Sequence, residues 1–240
     1  MRRTLDCIWA DGRARVEKRS LFDGLKVPES HATLPMLNEM VLCEAVEKGF
    51  THVKVKGGKG GGQDMCRVRS MIRLFPGLKW RIDFNERGEA GELLEELSSW
   101  SEQEKAAIDF LEDPVPYFGD GWGRIVSESG LEMALDRQLE SDRGDAAVRV
   151  VKPAIQEMTS GGRVVVTSYM DHPLGQTFAA WEAARAGVTE ICGLQTHELF
   201  EKNEFVEALG NATPEFKIPN GNGLGFDDLL ESLPWTKLPL

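Results

Sequence analysis

This 240-residue chain contains no stretch that approaches the roughly 18 consecutive apolar residues of a membrane-spanning helix. Positive charge is also scarce, because 28 Lys and Arg stand against 39 Asp and Glu, giving a formal net charge of −11. A nucleic-acid-binding surface needs clustered Lys and Arg, so we expect no nucleic-acid partner. Charged residues near the start occupy the place of the apolar core of a secretory leader, so we expect no signal peptide.

Cysteine is equally sparse, and its spacing excludes two further classes of protein. The four cysteines form no CxxC pair, so neither a zinc site nor a disulfide framework is expected. Free thiols of this kind are typical of a reducing compartment, and we therefore expect a cytoplasmic protein. The glycine run from 57 to 62 is not a phosphate-binding loop, because no Lys-Ser or Lys-Thr pair follows it.

What the chain does contain is a regular alternation of short apolar runs and amphipathic segments. Strands are predicted at 27–34, 51–56, 80–83, 108–112, 131–136, 147–152, 164–168 and 190–194. Strands that alternate with helices predict a parallel sheet, and eight units in a chain of this length predict a (β/α)₈ TIM barrel of the α/β class. The connections 138–145 and 154–162 are too short for full helices, so we expect some outer helices to be shortened or missing.

We divide the chain into a short N-terminal arm, residues 1–26, and a barrel domain, residues 27–240. The arm is polar and charged, with one candidate strand at Cys7–Trp9. It is too short to form a domain of its own.

Charged side chains stand where the predicted strands end. Asp83, Glu112 and Asp136 follow three consecutive strands, about one strand–helix unit apart. In a barrel these carboxylates converge at the C-terminal mouth, where they would repel one another without a cation. Oxygen-only ligands suit Mg²⁺, or Mn²⁺ in its place, so the pattern predicts a metal site.

Lysines end two other strands. Lys54 and Lys56 share one face of the second strand, and Lys152 ends the sixth, which lies opposite the second in an eight-stranded barrel. A neighbouring ammonium and a nearby dication both favour a neutral amine, so Lys56 is expected to act as a base near neutral pH. This arrangement suits proton abstraction beside a carboxylate, with the metal stabilising the enediolate that forms.

The order of these motifs resembles the enolase superfamily, and within it the o-succinylbenzoate synthase family. The segments that carry the resemblance are VKVKGG (53–58), RIDFNE (81–86), FLEDP (110–114), ALDRQL (134–139), VVKP (150–153) and VVVTS (164–168). The resemblance covers roughly residues 27–240. It departs from the family in three places. Only about 26 residues precede the barrel, so we expect most of the family's N-terminal capping domain to be missing. Arg137 stands where an acidic residue is common, and the spacing from Asp136 to Thr167 is short.

The resemblance implies a role for each motif residue. Asp83, Glu112 and Asp136 would be the Mg²⁺ ligands, and Lys56 would be the general base and then the acid that assists loss of hydroxide. Lys152 would stabilise the enediolate, with Lys54 beside the base. The remaining motif residues, Thr167, Ser168 and Asn85, would bind the substrate.

The implied reaction is the syn-dehydration of a succinylated hydroxy-cyclohexadiene carboxylate to o-succinylbenzoate, a step toward menaquinone. The expected partner is a small-molecule carboxylate, and the sequence leaves the oligomeric state open. Two alternatives remain at this point. Opposed lysines also suit a racemase that acts on N-acylamino acids. A barrel without its cap also suits a non-catalytic binding or structural role.

Overall fold

A computed structural model describes residues 2–58, 64–142, 144, 146–159 and 161–236. Its helices are α1 (Arg2–Val16), α2 (Glu39–Glu47), α3 (Met65–Leu74), α4 (Ala90–Ser98), α5 (Glu102–Ala106), α6 (Asp120–Ser129), α7 (Pro173–Arg185), α8 (Glu204–Leu209) and α9 (Asp227–Ser232). Its strands are β1 (Ala32–Thr33), β2 (His52–Lys56), β3 (Lys79–Asp83), β4 (Ile108–Glu112), β5 (Met133–Leu135), β6 (Val148–Val151) and β7 (Arg163–Val166). Among the described helices, none combines the length and the apolarity that crossing a bilayer requires.

The strands form one parallel sheet in the order β1 to β7, so each strand pairs with its neighbours in sequence. The predicted strands are confirmed from the second to the seventh, and the first is shorter than expected. The predicted eighth strand is reduced to isolated parallel bridges, one from Cys192 to Ser30 and one from Gly193 to Thr167. Residues 192–193 nevertheless hydrogen-bond to both edges of the sheet, through His31 N–H to Cys192 O at 2.7 Å and Gly193 N–H to Val166 O at 2.8 Å.

Apolar side chains cover both faces of the sheet. The outer face packs against α2, α3, α4 and α6 in the largest core cluster, which includes Trp80, Ile82 and Leu111. A smaller cluster occupies the inner face and consists of Phe110, Ala134, Val148, Val150 and Val165. Side chains alternate along a strand, so Glu112 faces inward with Phe110 while Leu111 faces outward.

The two short connections lack full outer helices, as predicted. Among the described residues between β5 and β6, the one helical segment is a 3₁₀ turn, Leu139–Ser141. Within the described residues between β6 and β7 there is no helix, and Gln156 accepts a hydrogen bond from Lys152 N–H at 2.8 Å. The predicted glycine loop lies largely outside the described residues.

The prediction of a strand at Cys7–Trp9 is wrong, because these residues lie within helix α1. Cys7, Ala10 and Ala14 recur at helical spacing and pack in a second core cluster with Phe178. Arg3 ties the helix to α7 through an ion pair with Glu182 at 3.0 Å. The small size of the buried residues hid this periodicity among the charges of the segment. The division at residue 26 stays a prediction.

Candidate active site

The strand-end side chains meet at the C-terminal edge of the sheet. Lys56, Asp83 and Glu112 are register partners on β2, β3 and β4, so they form one row across the sheet. Asp136 and Lys152 come directly after the last residues of β5 and β6. Parallel strands present all their carboxyl ends at one edge, which is why residues far apart in sequence converge here.

Lys54 lies between two carboxylates. Its Nζ is 2.6 and 2.7 Å from the two oxygens of Glu112 and 2.9 Å from Asp83 Oδ2. Burial disfavours the charge of Lys54, but Glu112 and Asp83 outweigh that effect and raise its pKa above the ordinary value. The two carboxylates therefore favour the charged form of Lys54 in this arrangement.

Lys56 contacts the same carboxylate from the solvent side. Its Nζ lies 2.6 Å from Asp83 Oδ2, the oxygen that Lys54 also approaches. The Lys56 side chain is 51% exposed, compared with 15% for Lys54, so an incoming molecule reaches Lys56 first. The structure thus separates two lysines that the sequence places on one strand face.

Lys152 and Asp136 form the third pair, with Lys152 Nζ hydrogen-bonded to Asp136 Oδ2. Three carboxylates and three ammonium groups therefore balance in charge. The predicted catalytic lysines and predicted metal ligands are brought together as contacting pairs, with lysines approaching from β2 on one side and from β6 on the other.

Burial acts differently on the two carboxylates next to Lys54. Desolvation raises the pKa of Glu112, because the side chain is almost fully buried and Lys54 only partly compensates. Desolvation also opposes the charge of Asp83, but Lys54 and Lys56 outweigh it, and the pKa of Asp83 falls below its usual range. Two neighbouring carboxylates thus have opposite tendencies, a pattern common at functional sites.

The predicted substrate-binding residues lie at the same edge. Thr167 and Ser168 follow β7 directly, and Ser168 Oγ is 2.8 Å from Thr196 Oγ1. Within the described residues, Thr167 Oγ1 is buried without a hydrogen-bond partner. Asn85 contributes its main-chain N–H to Asp83 Oδ1 at 3.0 Å, with a positive φ of 50°.

Asp113 makes more contacts at this edge of the sheet than the sequence indicated. Its carboxylate accepts the main-chain N–H groups of Asp136 and Arg137 at 3.1 and 2.9 Å. Burial raises the pKa of Asp113 to about 7, although these two N–H donors oppose the shift. Its position directly after Glu112 was the available signal, and a turn explained that position equally well.

Arg81 was also missed. Its guanidinium lies inside the sheet, beneath the lysines and carboxylates, and hydrogen-bonds Asp109 at 2.7 Å. The available signal was the spacing of two residues from Asp83, which places both side chains on the inner face of β3.

The donor chemistry of the site fits a hard cation. Asp83, Glu112 and Asp136 supply only oxygen atoms, the ligand type that Mg²⁺ prefers. In the described part of the chain, no three His, Cys, Asp or Glu side chains are already grouped as a metal site. In the structure, the positively charged group between Glu112 and Asp83 is the ammonium of Lys54.

Comparison with known proteins places the chain among related sequences and folds. Residues 39–155 match the model of the enolase C-terminal domain-like family. An o-succinylbenzoate synthase from Bdellovibrio bacteriovorus is 28% identical over 262 aligned positions, which cover 95% of this chain and 74% of the relative.

Solved structures show the same fold at lower identity. A mandelate racemase/muconate lactonizing protein from Herpetosiphon aurantiacus has a TM-score of 0.74 at 18% identity, covering 90% of this chain and 70% of that one. The L-Ala-D/L-Glu epimerase from Bacillus subtilis has a TM-score of 0.66 at 17% identity, covering 90% and 69%. Across the curated relative and the structural neighbours, the chain spans 60% to 74% of their length. The family match, the relative and the shared fold confirm the resemblance to the enolase superfamily that the motifs indicated.

Proposed function

We propose that the chain is a Mg²⁺-dependent carbon–oxygen lyase of the o-succinylbenzoate synthase type. The observation that carries the proposal is the set of three strand-end carboxylates, each in contact with a lysine, with lysines on both β2 and β6. The curated relative from Bdellovibrio bacteriovorus supports this reaction over others of the superfamily. We also propose that residues 190–194 complete an eight-unit barrel, supported by their bridges to both sheet edges.

Each lysine has a distinct task in this proposal. Lys56 removes the proton next to the substrate carboxylate and returns it to the departing hydroxide, so that one water leaves and the base is regenerated. Lys152 stabilises the negative charge that develops on the substrate carboxylate. Lys54 holds Glu112 and Asp83 in place as a permanent cation.

Asp83, Glu112 and Asp136 would hold Mg²⁺, which supplies Lewis-acid polarisation of the substrate carboxylate when bound. Thr167 and Ser168 would bind the distal carboxylate of the substrate, and the unpartnered hydroxyl of Thr167 supports that role. Asn85 would complete the substrate contacts from the end of β3.

The test is a spectroscopic dehydration assay with the succinylated hydroxy-cyclohexadiene carboxylate. Lys56→Ala and Lys152→Ala are expected to abolish turnover while the fold persists. Lys105→Ala is the matched control, because Lys105 pairs with Glu102 on the surface of α5, away from the site. Turnover that survives in either site variant would contradict the assigned mechanism.

A racemase of N-acylamino acids is the second candidate, favoured by the lysines on opposite strands and by the epimerase fold neighbour. N-succinyl amino acids in D₂O distinguish the two reactions. A racemase exchanges the α-hydrogen of both enantiomers, and Lys152→Ala would stop exchange from one face only. A lyase without racemase activity exchanges neither.

A non-catalytic barrel is the third candidate, and thermal unfolding separates it from both enzymes. Mg²⁺ at about 100 times its Kd stabilises a native state by about 2.7 kcal/mol, which raises the melting temperature. An unchanged melting temperature at millimolar Mg²⁺ would favour the non-catalytic role.

A further inference from the structure

Three residues with a left-handed backbone conformation lie just beyond the predicted metal ligands. Glu86, Asp113 and Gln138 have φ values of 63°, 41° and 58°. They follow Asp83, Glu112 and Asp136 on the loops after β3, β4 and β5, and we call them the strand-end ring. A positive φ is unfavourable for a non-glycine residue, so such residues persist where surrounding contacts impose them.

Direct contacts connect the members of the strand-end ring. Glu86 N–H donates to Asp113 O at 2.7 Å, and Gln138 Nε2 donates to Glu86 Oε1 at 2.7 Å. The Asp113 carboxylate closes the ring by accepting the N–H groups of Asp136 and Arg137, directly before Gln138. The ring therefore sets the positions of three strand ends relative to one another.

Asp113 is the member that carries most of these contacts. Its N–H donates to Ala134 O at 2.9 Å, so all its polar groups are engaged with β3 or β5 or the loops that follow them. The side chain is 1% exposed and lies next to Glu112. A buried acid beside another acid is costly, and a turn alone would be served by a neutral side chain.

We propose that Asp113 is a positioning residue that fixes the end of β5, and with it the Asp136 carboxylate, through the N–H groups of Asp136 and Arg137. The two donors lie on either side of the Asp136 side chain, so the Asp113 carboxylate restrains both peptide units that set its direction. Residues that orient a metal ligand in this way typically change metal affinity by about 10–100-fold when altered. The inference rests on the proposed function in treating Asp136 as a ligand.

Two substitutions separate position from charge. Asp113→Asn keeps the shape but turns an N–H₂ group toward a main-chain N–H, so one hydrogen bond is lost. Asp113→Glu keeps the charge but displaces the carboxylate by one methylene. Asp64→Asn is the control, because Asp64 accepts a main-chain N–H from Cys66 at 3.0 Å at the start of α3, outside the site.

The first measurement is calorimetric titration of each variant with Mg²⁺. Both Asp113 variants are expected to bind Mg²⁺ about 10–100-fold more weakly, and Asp64→Asn to bind it as the wild type does. The second measurement is amide hydrogen exchange, which needs no metal. Asp113→Glu is expected to exchange the amides of Asp136 and Arg137 faster, and Asp113→Asn the one amide that faces its N–H₂ group, with α4 unaffected.

The two measurements together decide the proposal. Faster exchange without weaker Mg²⁺ binding would overturn the positioning role. Weaker binding in Asp113→Asn alone, without faster exchange, would make the effect one of charge and would also overturn it. A wild type that binds no Mg²⁺ contradicts the proposed function. In that case amide exchange alone tests Asp113. Unchanged exchange in the variants would overturn its role at the end of β5, and faster exchange would support that role.

Discussion

Replacement of Arg81 by methionine tests how the interior beneath the site is stabilised. The Arg81 side chain is 1% exposed and donates to Asp109 Oδ2 at 2.7 Å, to His31 Nδ1 at 2.9 Å and to Ile191 O at 2.7 Å. Its guanidinium also lies 4.7 Å from the ring centre of Phe110. Methionine fills a similar volume without any of these donors.

The expected cost follows from what the substitution leaves behind. Removal of one partner from a buried ion pair destabilises a protein by about 3–5 kcal/mol. Asp109 keeps a second partner, because Arg163 Nη2 lies 2.8 Å from its Oδ1, so the lower end of that range applies. We expect a loss of about 3 kcal/mol in the free energy of unfolding.

Urea unfolding followed by circular dichroism measures this loss. With an m-value of about 3 kcal/mol/M, the midpoint should fall by about 1 M urea. Arg13→Met is the control, since Arg13 pairs with Glu17 on the surface with 79% of its side chain exposed. Such an exposed pair contributes little to stability. An Arg81→Met variant no less stable than Arg13→Met would refute the reasoning.

Two further predictions concern packing and charge. Gly193→Ala should destabilise the fold by about 1–3 kcal/mol, because a Cβ there would lie 2.7 Å from the His31 ring. Gly77→Ala is the control, because a Cβ at Gly77 meets nothing within 4 Å. The midpoints of urea unfolding compare the two variants. The hydrogen bond from Arg69 lowers the pKa of Glu104 against the opposing effect of burial. This stabilisation is present above the unfolded pKa of about 4.3 and is lost as the pH falls. The difference in free energy of unfolding between the wild type and Glu104→Gln should therefore shrink from pH 7 to pH 3. A constant difference would contradict the prediction.

The sequence was sufficient to predict most strands and their polar ends. Val164–Val166 is an apolar run, and Val148–Val151 is apolar except for Arg149. Thr167 and Lys152 mark their ends, and apolar segments of this kind indicate buried parallel strands without knowledge of tertiary contacts. The partnership of Lys56 with Asp83 follows from parallel pairing, but that of Asp83 with Glu112 also needs the register shift between β3 and β4.

Features that depend on tertiary contacts were not predictable. The register between β3 and β4 shifts between Trp80 and Arg81, which leaves Asp109 as an extra residue on β4. An extra residue of this kind changes the direction in which its side chain points. Here the Asp109 carboxylate contacts both Arg81 and Arg163. No local pattern marks this shift, because it arises from the fit of one strand against another.

The two lysines of β2 show most clearly what the fold adds to the motif. Alternation places Lys54 and Lys56 on one face, yet Lys54 lies beneath Asp83 and Glu112 while Lys56 reaches Asp83 from the solvent side. Both ammonium groups share Asp83 Oδ2, so the partner of Lys56 depends on how Asp83 is otherwise engaged. Any cation that draws Asp83 away leaves Lys54 with Glu112 and leaves Lys56 without a carboxylate partner among the described residues. In the proposed mechanism, the carboxylate partner of Lys56 is therefore set by Asp83, the group that it shares with Lys54.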